Sequence, residues 1–264
     1  DLLYPISESS ETVAIMLLRE IDRLGIKVVT SYKVQEYEVK DDKVIIGNES
    51  FDKVIFASGG KSSPQLGTDG NLFSVFEKHG YKLKEMSPSL CPVKVKENVK
   101  RLDGIRTKVE LAIVQNGKGI YCDTGELLFK KDGLSGIVVF NASHYINTLE
   151  DKNNVEIHVN FAYNNPIYSP SEYIEYVKPQ LADYLSYHHL DINDTVFTFD
   201  GMYDYQYSQV TSGGLHLSNL NNDLSSKIEK NIYFIGEMVD VSAACGGYNL
   251  MWAVASAFAA TKNF

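Results

Sequence analysis

The stretch Tyr233-Phe-Ile-Gly-Glu-Met-Val-Asp240, followed by Cys245-Gly-Gly-Tyr-Asn-Leu-Met-Trp-Ala253, decides how this chain is read. A short apolar run ends in a turn carrying Glu237, and two glycines then open a helix rich in small residues, Ala253, Ala255, Ser256 and Ala257. Gly246 and Gly247 let backbone N–H groups approach a phosphate or a ring edge with no Cβ in the way. The positive end of the helix points the same way, and a carboxylate at Glu237 is placed to bond sugar hydroxyls. A capped helix end beside a solvated Glu237 would use the same residues. The joint occurrence of strand, acidic turn, double glycine and small-residue helix favours a bound dinucleotide.

Two further stretches join it. Phe56-Ala57-Ser58-Gly59-Gly60-Lys61 ends a strand in two glycines, which allows main chain to lie flat against a dinucleotide, and Asp69 in Gly67-Thr68-Asp69-Gly70 is placed to cap the following helix. A tight strand-to-helix turn needing positive φ explains this segment equally well. Gln209-Val-Thr-Ser-Gly-Gly-Leu215 sets the Thr211 hydroxyl beside bare backbone at Gly213 and Gly214, and a β-bulge or hairpin accounts for it as readily. Together the three predict an FAD site held by Ser58, Gly59, Gly60, Lys61, Gly213, Gly214, Gly236, Glu237, Gly246, Gly247, Tyr248, Asn249 and Leu250, with Thr211 or Tyr248 as proton donor. No Gly-x-Gly-x-x-Gly occurs, and the sequence begins at Asp1, so the expectation is a flavoenzyme without its first lobe.

The remainder sorts by periodicity. Thr12 to Leu24 has helical spacing, with Ser9 or Ser10 as N-cap and Gly25 as stop. Ile26 to Thr30, Val34 to Val39 and Lys43 to Ile46 read as a strand and a small meander, and Asp52 to Ala57 as a further strand. From about Pro88 the chain turns β-rich, predicting a barrel or sandwich: strands at Val93 to Val95, Lys108 to Val114 and Glu126 to Lys130, with turns at Asn116-Gly117 and Thr124-Gly125. Ser135 to Ile146 reads as a helix, Val155 to Phe161 as a strand, Ser169 to His189 as a Tyr-rich helix that must accommodate Pro179, and Val196 to Phe199 as extended. Ile232 to Ile235 and a closing helix over Gly246 to Ala260 return the chain to the nucleotide-binding part.

Composition narrows the function. The 264 residues carry 25 Lys and Arg against 34 Asp and Glu, a net charge of −9, which argues against a nucleic-acid groove or an anionic membrane surface. Cys91, Cys122 and Cys245 are odd in number and lack C-x-x-C spacing, so neither a disulfide framework nor a zinc site is expected, and a reducing, cytoplasmic setting is the default. There is no apolar run long enough to span a bilayer. Cys245 reads as a small buried residue in preference to a redox partner, His188-His189 as a partly exposed pair in preference to a metal site, and Tyr173, Tyr176, Tyr184 and Tyr187 as packing.

With these residues in view, the chain resembles the BaiN-like family of FAD-dependent oxidoreductases, also called YhiN or aminoacetone-oxidase-like. The likeness rests on Tyr4-Pro5-Ile6-Ser7, Ala57 to Ser62, Gly125 to Phe129, Gly133 to Gly136, Val210 to Leu215, Phe234 to Glu237 and Gly246 to Asn249, in that order along nearly the whole chain. It implies an α/β chain whose partial two-dinucleotide-type FAD-binding domain, lacking its N-terminal Rossmann segment, is interrupted by a β-barrel-like domain with a short helical insert. The boundaries that follow are residues 1–87 and 209–264 for the FAD-binding domain and 88–208 for the insertion. Asp151 to Ser208 is shorter than the family's helical insert. The resemblance further implies NAD(P)H as electron donor and a small organic or enone substrate. The rival readings are a chain that keeps the fold as an FAD-free binding partner and a flavin-dependent RNA modifier, the latter disfavoured by the acidic balance.

Overall fold

Two hydrophobic cores organise the chain, which is described over residues 4 to 262 of a computed structural model. In order the elements are α1 (Ser10–Arg23), β1 (Glu38–Lys40), β2 (Lys43–Ile46), β3 (Glu49–Phe51), β4 (Val54–Phe56), α2 (Asn71–Lys78), β5 (Leu83–Ser89), β6 (Val93–Val95), β7 (Arg106–Gln115), β8 (Lys118–Lys130), β9 (Gly133–Ser135), α3 (Ile137–Ile146), β10 (Val155–Asn160), α4 (Tyr173–Tyr176), α5 (Pro179–Tyr187), β11 (Thr195–Met202), β12 (Val210–Leu215), β13 (Ile232–Phe234) and α6 (Tyr248–Thr261).

The β-rich middle closes into a six-stranded antiparallel barrel, in the order β10-β11-β6-β9-β8-β7, with β7 pairing back onto β10. Its interior follows the strand period of two. Val109, Leu111 and Ile113 of β7, Leu127 and Phe129 of β8, and Val155, Ile157 and Val159 of β10 point inward and are almost wholly buried. Asn116 and Gly117, both at positive φ, turn β7 into β8 as the sequence predicted. Thr124-Gly125 is not a turn. It lies inside β8, where the missing Cβ of Gly125 admits Ile137 and Val138 of α3.

The second core is aromatic. Phe56 on β4, Phe76 on α2 and Phe234 on β13 pack with ring centroids 5.0 to 5.5 Å apart, and Tyr81 meets Phe234 at 4.9 Å. β4 and β13 form a parallel pair in register, Val54 opposite Ile232 and Phe56 opposite Phe234. An antiparallel ribbon of β5 and β12 runs beside them.

Helix α1 starts after Ser9 and ends in a left-handed Gly25, with Ile26 N–H donating to Ile21 O and Gly25 N–H to Asp22 O. Three expectations are corrected. Ile26 to Thr30 is irregular, because no neighbouring strand among the described residues pairs with it. Val34 to Val39 contributes a strand only from Glu38. The Tyr-rich helix is broken into α4 and α5: Val177 and Lys178 are extended, as a residue before proline must be, and Pro179 starts α5 at a position where its missing N–H is harmless. No helix among the described residues is long and apolar enough to cross a membrane.

Candidate cofactor-binding site

β4 and β13 run side by side and end together, and each ends in a glycine turn. Ile235 N–H donates to Phe56 O at 3.0 Å, after which one strand continues into Ala57 to Gly60 and the other into Gly236-Glu237. The carboxyl ends of adjacent parallel strands are where open α/β sheets take up ligands. Helix α6 is locked to this edge. Gly236 N–H donates to Ser256 Oγ at 2.9 Å, Trp252 Nε1 donates to Gly236 O at 3.0 Å, and Ser256 is buried. Of the small residues read from the sequence, Ser256 is the one that meets the turn, whereas Ala255 faces outward.

Beneath the edge lies a buried hydroxyl network. Thr211 Oγ1 accepts the backbone N–H groups of Lys61 at 2.8 Å and Ser62 at 3.1 Å, and shares a hydrogen bond with Ser62 Oγ at 3.0 Å. Ser208 Oγ donates to Ser62 Oγ. Thr211 N–H donates to Glu237 Oε1 at 2.9 Å, and Thr211 is only 2% exposed. Thr211 thus ties β12 to both glycine turns, through its hydroxyl to one and through its backbone N–H to the other. Burial pushes the Glu237 carboxyl above the ordinary glutamate range, opposed by the bonds from Thr211.

The segment leading into α6 is held from two sides. Asn249 grips it from within, its Oδ1 accepting from Ala243 N–H at 3.0 Å and its Nδ2 donating to Ala243 O at 2.9 Å. From the barrel, Asn141 Oδ1 accepts Cys245 N–H at 2.9 Å. Gly246 and Gly247 follow at positive φ and are exposed.

Apart from Gly246, whose Cβ would lie 3.1 Å from the Tyr248 ring, the space around the expected cofactor glycines separates them into two groups. A Cβ on Gly59, Gly236 or Gly247 would meet open space, with nothing closer than Thr68 Oγ1 at 3.9 Å from Gly59. A Cβ on Gly60 would collide with Thr211 and Glu237, one on Gly213 with Glu85 O, and one on Gly214 would lie 2.7 Å from Met238 O. These last three glycines serve close packing of the protein on itself. Ser58 is exposed at the first turn, its carbonyl accepting from Thr68 Oγ1. Lys61 sets its ammonium 5.9 Å from the Tyr205 ring. Tyr248 is 52% exposed and Leu250 also faces outward. Asp69 caps α2 from one residue before the N-cap, accepting Asn71 N–H at 3.0 Å.

The weaker candidates stand apart. His188 and His189 are exposed at the end of α5, and no group of His, Cys, Asp or Glu among the described residues could hold a metal. Tyr173 and Tyr184 are buried, whereas Tyr176 and Tyr187 are exposed. All three cysteines are free, Cys245 being half-buried with its thiol pushed up by burial. Sequence reading missed Asn141, Asp123 and Tyr121. Asn141 lies over a hundred positions from Cys245 and sits in a plain helical pattern, so no local signal marks it.

The sequence profile described as HI0933-like protein Rossmann domain matches residues 1–263. The chain is 27% identical, over 98% of its length and 74% of the relative's, to 3-dehydro-bile acid delta(4,6)-reductase of Clostridium scindens. It is 26% identical to ribosomal RNA dihydrouridine synthase of Haemophilus influenzae, over 96% of this chain and 72% of that protein. The protein of the same name from Escherichia coli is also 26% identical, over 80% and 60% respectively.

Proposed function

The chain belongs to the HI0933-like protein Rossmann family, and we propose that it is an FAD-dependent oxidoreductase that saturates a carbon–carbon double bond conjugated to a carbonyl. The observation that carries the reading is the set of open glycine turns, Gly59, Gly236 and Gly247, gathered at the carboxyl ends of β4 and β13 and the start of α6. Cradles that a Cβ would obstruct, next to the N-terminus of a 14-residue helix, suit a dinucleotide. Glu237 fits the same group, since Thr211 N–H on its Oε1 holds the carboxylate at the end of β13, beside the Gly236 turn. The chemistry that bound flavin would supply there is hydride transfer from NAD(P)H to the acceptor.

The names of the relatives converge on one reaction type. A delta(4,6)-reductase of a 3-dehydro bile acid acts on double bonds conjugated to a ketone, and dihydrouridine is uridine whose ring double bond, conjugated to a carbonyl, has been saturated. Each needs a hydride at one carbon and a proton at the next. Of the two donors expected from sequence, the Tyr248 phenol is accessible, whereas Thr211 is buried and holds the Lys61 and Ser62 amides. We assign Tyr248 to proton donation and Thr211 to shaping the site. Met16, Leu17 and Leu18 on α1 and Met251 and Phe258 on α6 are large apolar residues left exposed on these two helices.

One observation favours RNA over a small enone. Lys61, Lys94 and Lys130 each lie about 6 Å from a tyrosine ring of the segment 203–207, namely Tyr205, Tyr203 and Tyr207. Such basic and aromatic interleaving suits a polyanion with bases despite the acidic total. The experiment is an FAD titration followed by flavin fluorescence, then anaerobic NADH or NADPH to bleach the absorbance, then reoxidation by a steroid dienone or by uridine-containing ribosomal RNA. Absence of FAD uptake at high micromolar concentrations would sink the flavin reading. Reoxidation by RNA alone would select the second substrate.

A further inference from the structure

We infer that Asn141 is a positioning residue that fastens the barrel to the cofactor-binding loop before α6 and sets the direction of that loop's backbone N–H groups; the functional part of this inference rests on the flavin reading above. Helix α3 is firmly seated on β8. Gly136, at φ +97°, enters the helix so close to β8 that a Cβ would overlap Glu126 O, and Gly125 lets Ile137 and Val138 sit directly on the strand. A side chain on α3 is therefore fixed relative to the barrel wall.

Asn141 uses both ends of its amide. Its Oδ1 accepts from Cys245 N–H at 2.9 Å, and its Nδ2 donates to Asp123 Oδ2 at 3.3 Å. Asp123 is itself held, accepting the Tyr121 hydroxyl at 2.7 Å and Thr124 N–H at 2.8 Å. Tyr121 stacks on Tyr145 of α3 with centroids 4.2 Å apart. An amide with donor and acceptor both engaged cannot flip without losing two bonds, so the chain Tyr121, Asp123, Asn141 delivers one oriented acceptor to the Cys245 amide. Cys245 is the residue immediately before Gly246 and Gly247. Without that bond the loop keeps the Asn249 clasp at Ala243, two residues further back, and the long Cys245 Sγ to Gln209 Oε1 contact at 3.8 Å, neither of which fixes the Cys245 amide, so the peptide leading into Gly246 gains freedom to rotate. Asn141 touches no reacting group in this arrangement. It acts through the backbone it holds.

The test reads the loop directly. In Asn141→Ala, amide hydrogen exchange over residues 243–248 of the full chain is expected to quicken about tenfold, the equivalent of one lost hydrogen bond, while the α1 and barrel peptides stay unchanged. FAD, titrated by fluorescence, is expected to bind up to about tenfold more weakly. Asn141→Asp keeps an acceptor for Cys245 but sets two carboxylates against each other. The exchange Asn141→Asp with Asp123→Asn restores a donor and an acceptor to the pair, and is expected to return both readouts to within about twofold of wild type. A merely space-filling Asn141 would show no such rescue. Unchanged exchange in a folded Asn141→Ala chain, or a swap that leaves the loop as loose as the single variants, overturns the inference. A wild-type chain that takes up no FAD, yet loosens at 243–248 in Asn141→Ala, upholds the tether and counts against the flavin reading alone.

Discussion

The barrel and the part built around the parallel β4–β13 pair solve the same problem, covering apolar surface, in opposite ways. The barrel closes on itself, so its sheet has no free edge and its inward residues are sealed. The other part has a parallel sheet of two strands, an N-terminal helix with no buried residue and a C-terminal helix with Met251 and Phe258 turned outward. A closed sheet satisfies its hydrogen bonds by geometry, whereas an open one leaves an edge and a crevice on which something else must sit. The open glycine turns gather on that part, and the β-rich segment reaches it through Asn141 at Cys245 and Ser208 at Ser62.

Substitutions can test that contrast, beginning where packing is tightest. Phe129→Ala removes a ring fully buried inside the barrel and is expected to destabilise by about 3–5 kcal/mol in urea unfolding. A loss below about 1 kcal/mol would mean that the barrel interior is not sealed. Gly213→Ala comes next, because the position combines φ +90° with a Cβ that would overlap Glu85 O, and a loss of about 2–4 kcal/mol is expected. Its counterpart on the open side, Gly247→Ala, meets nothing within 4 Å and should cost about 1 kcal/mol of backbone strain while weakening FAD binding. Equal losses at the two glycines would erase the division between packing and cradle glycines.

Thr211→Val probes the join between the parts. It leaves the Lys61 and Ser62 amides without their shared acceptor in a buried place, for which about 2 kcal/mol is expected by the same unfolding assay. On the exposed helices the effect should nearly vanish. Leu17→Glu on α1 is expected to stay within about 0.5 kcal/mol, and a larger loss would show that the outer face of α1 is covered in solution.

What the sequence disclosed follows the same division. The strand pattern in Lys108 to Val114 and the Asn116-Gly117 turn made a β-rich barrel or sandwich legible, since strand period and turn chemistry are local, whereas closure through the β7–β10 pairing is set at long range. The turn at Glu237 and the glycine-opened helix were legible for the same reason. Gly125 misled, because a glycine that admits a packed helix looks identical to one that turns the chain. Gly60, Gly213 and Gly214 are ambiguous for the same reason: sequence records the missing Cβ and not what fills its place. The Asn141 to Cys245 bond left no trace, being set by tertiary placement of two distant segments.

The smallest effect concerns Glu237, where burial and hydrogen bonding pull in opposite directions. Burial dominates, so the folded carboxyl has a pKa above its unfolded value of about 4.3. Between those two values the native state binds more protons than the unfolded chain, and stability falls as pH rises through the window. Glu237→Gln keeps an oxygen for Thr211 N–H but carries no charge at any pH. The difference in unfolding free energy between variant and wild type should therefore be flat below about pH 4, shift in favour of the variant through the window, and level off above it. A difference that moves the other way would mean that the Thr211 bonds outweigh burial, and that the open edge already stabilises a carboxylate without a cofactor. In that case Glu237 would belong with the packed residues around Thr211, and the boundary between structural and ligand-facing groups would move outward to Gly236 and Gly247.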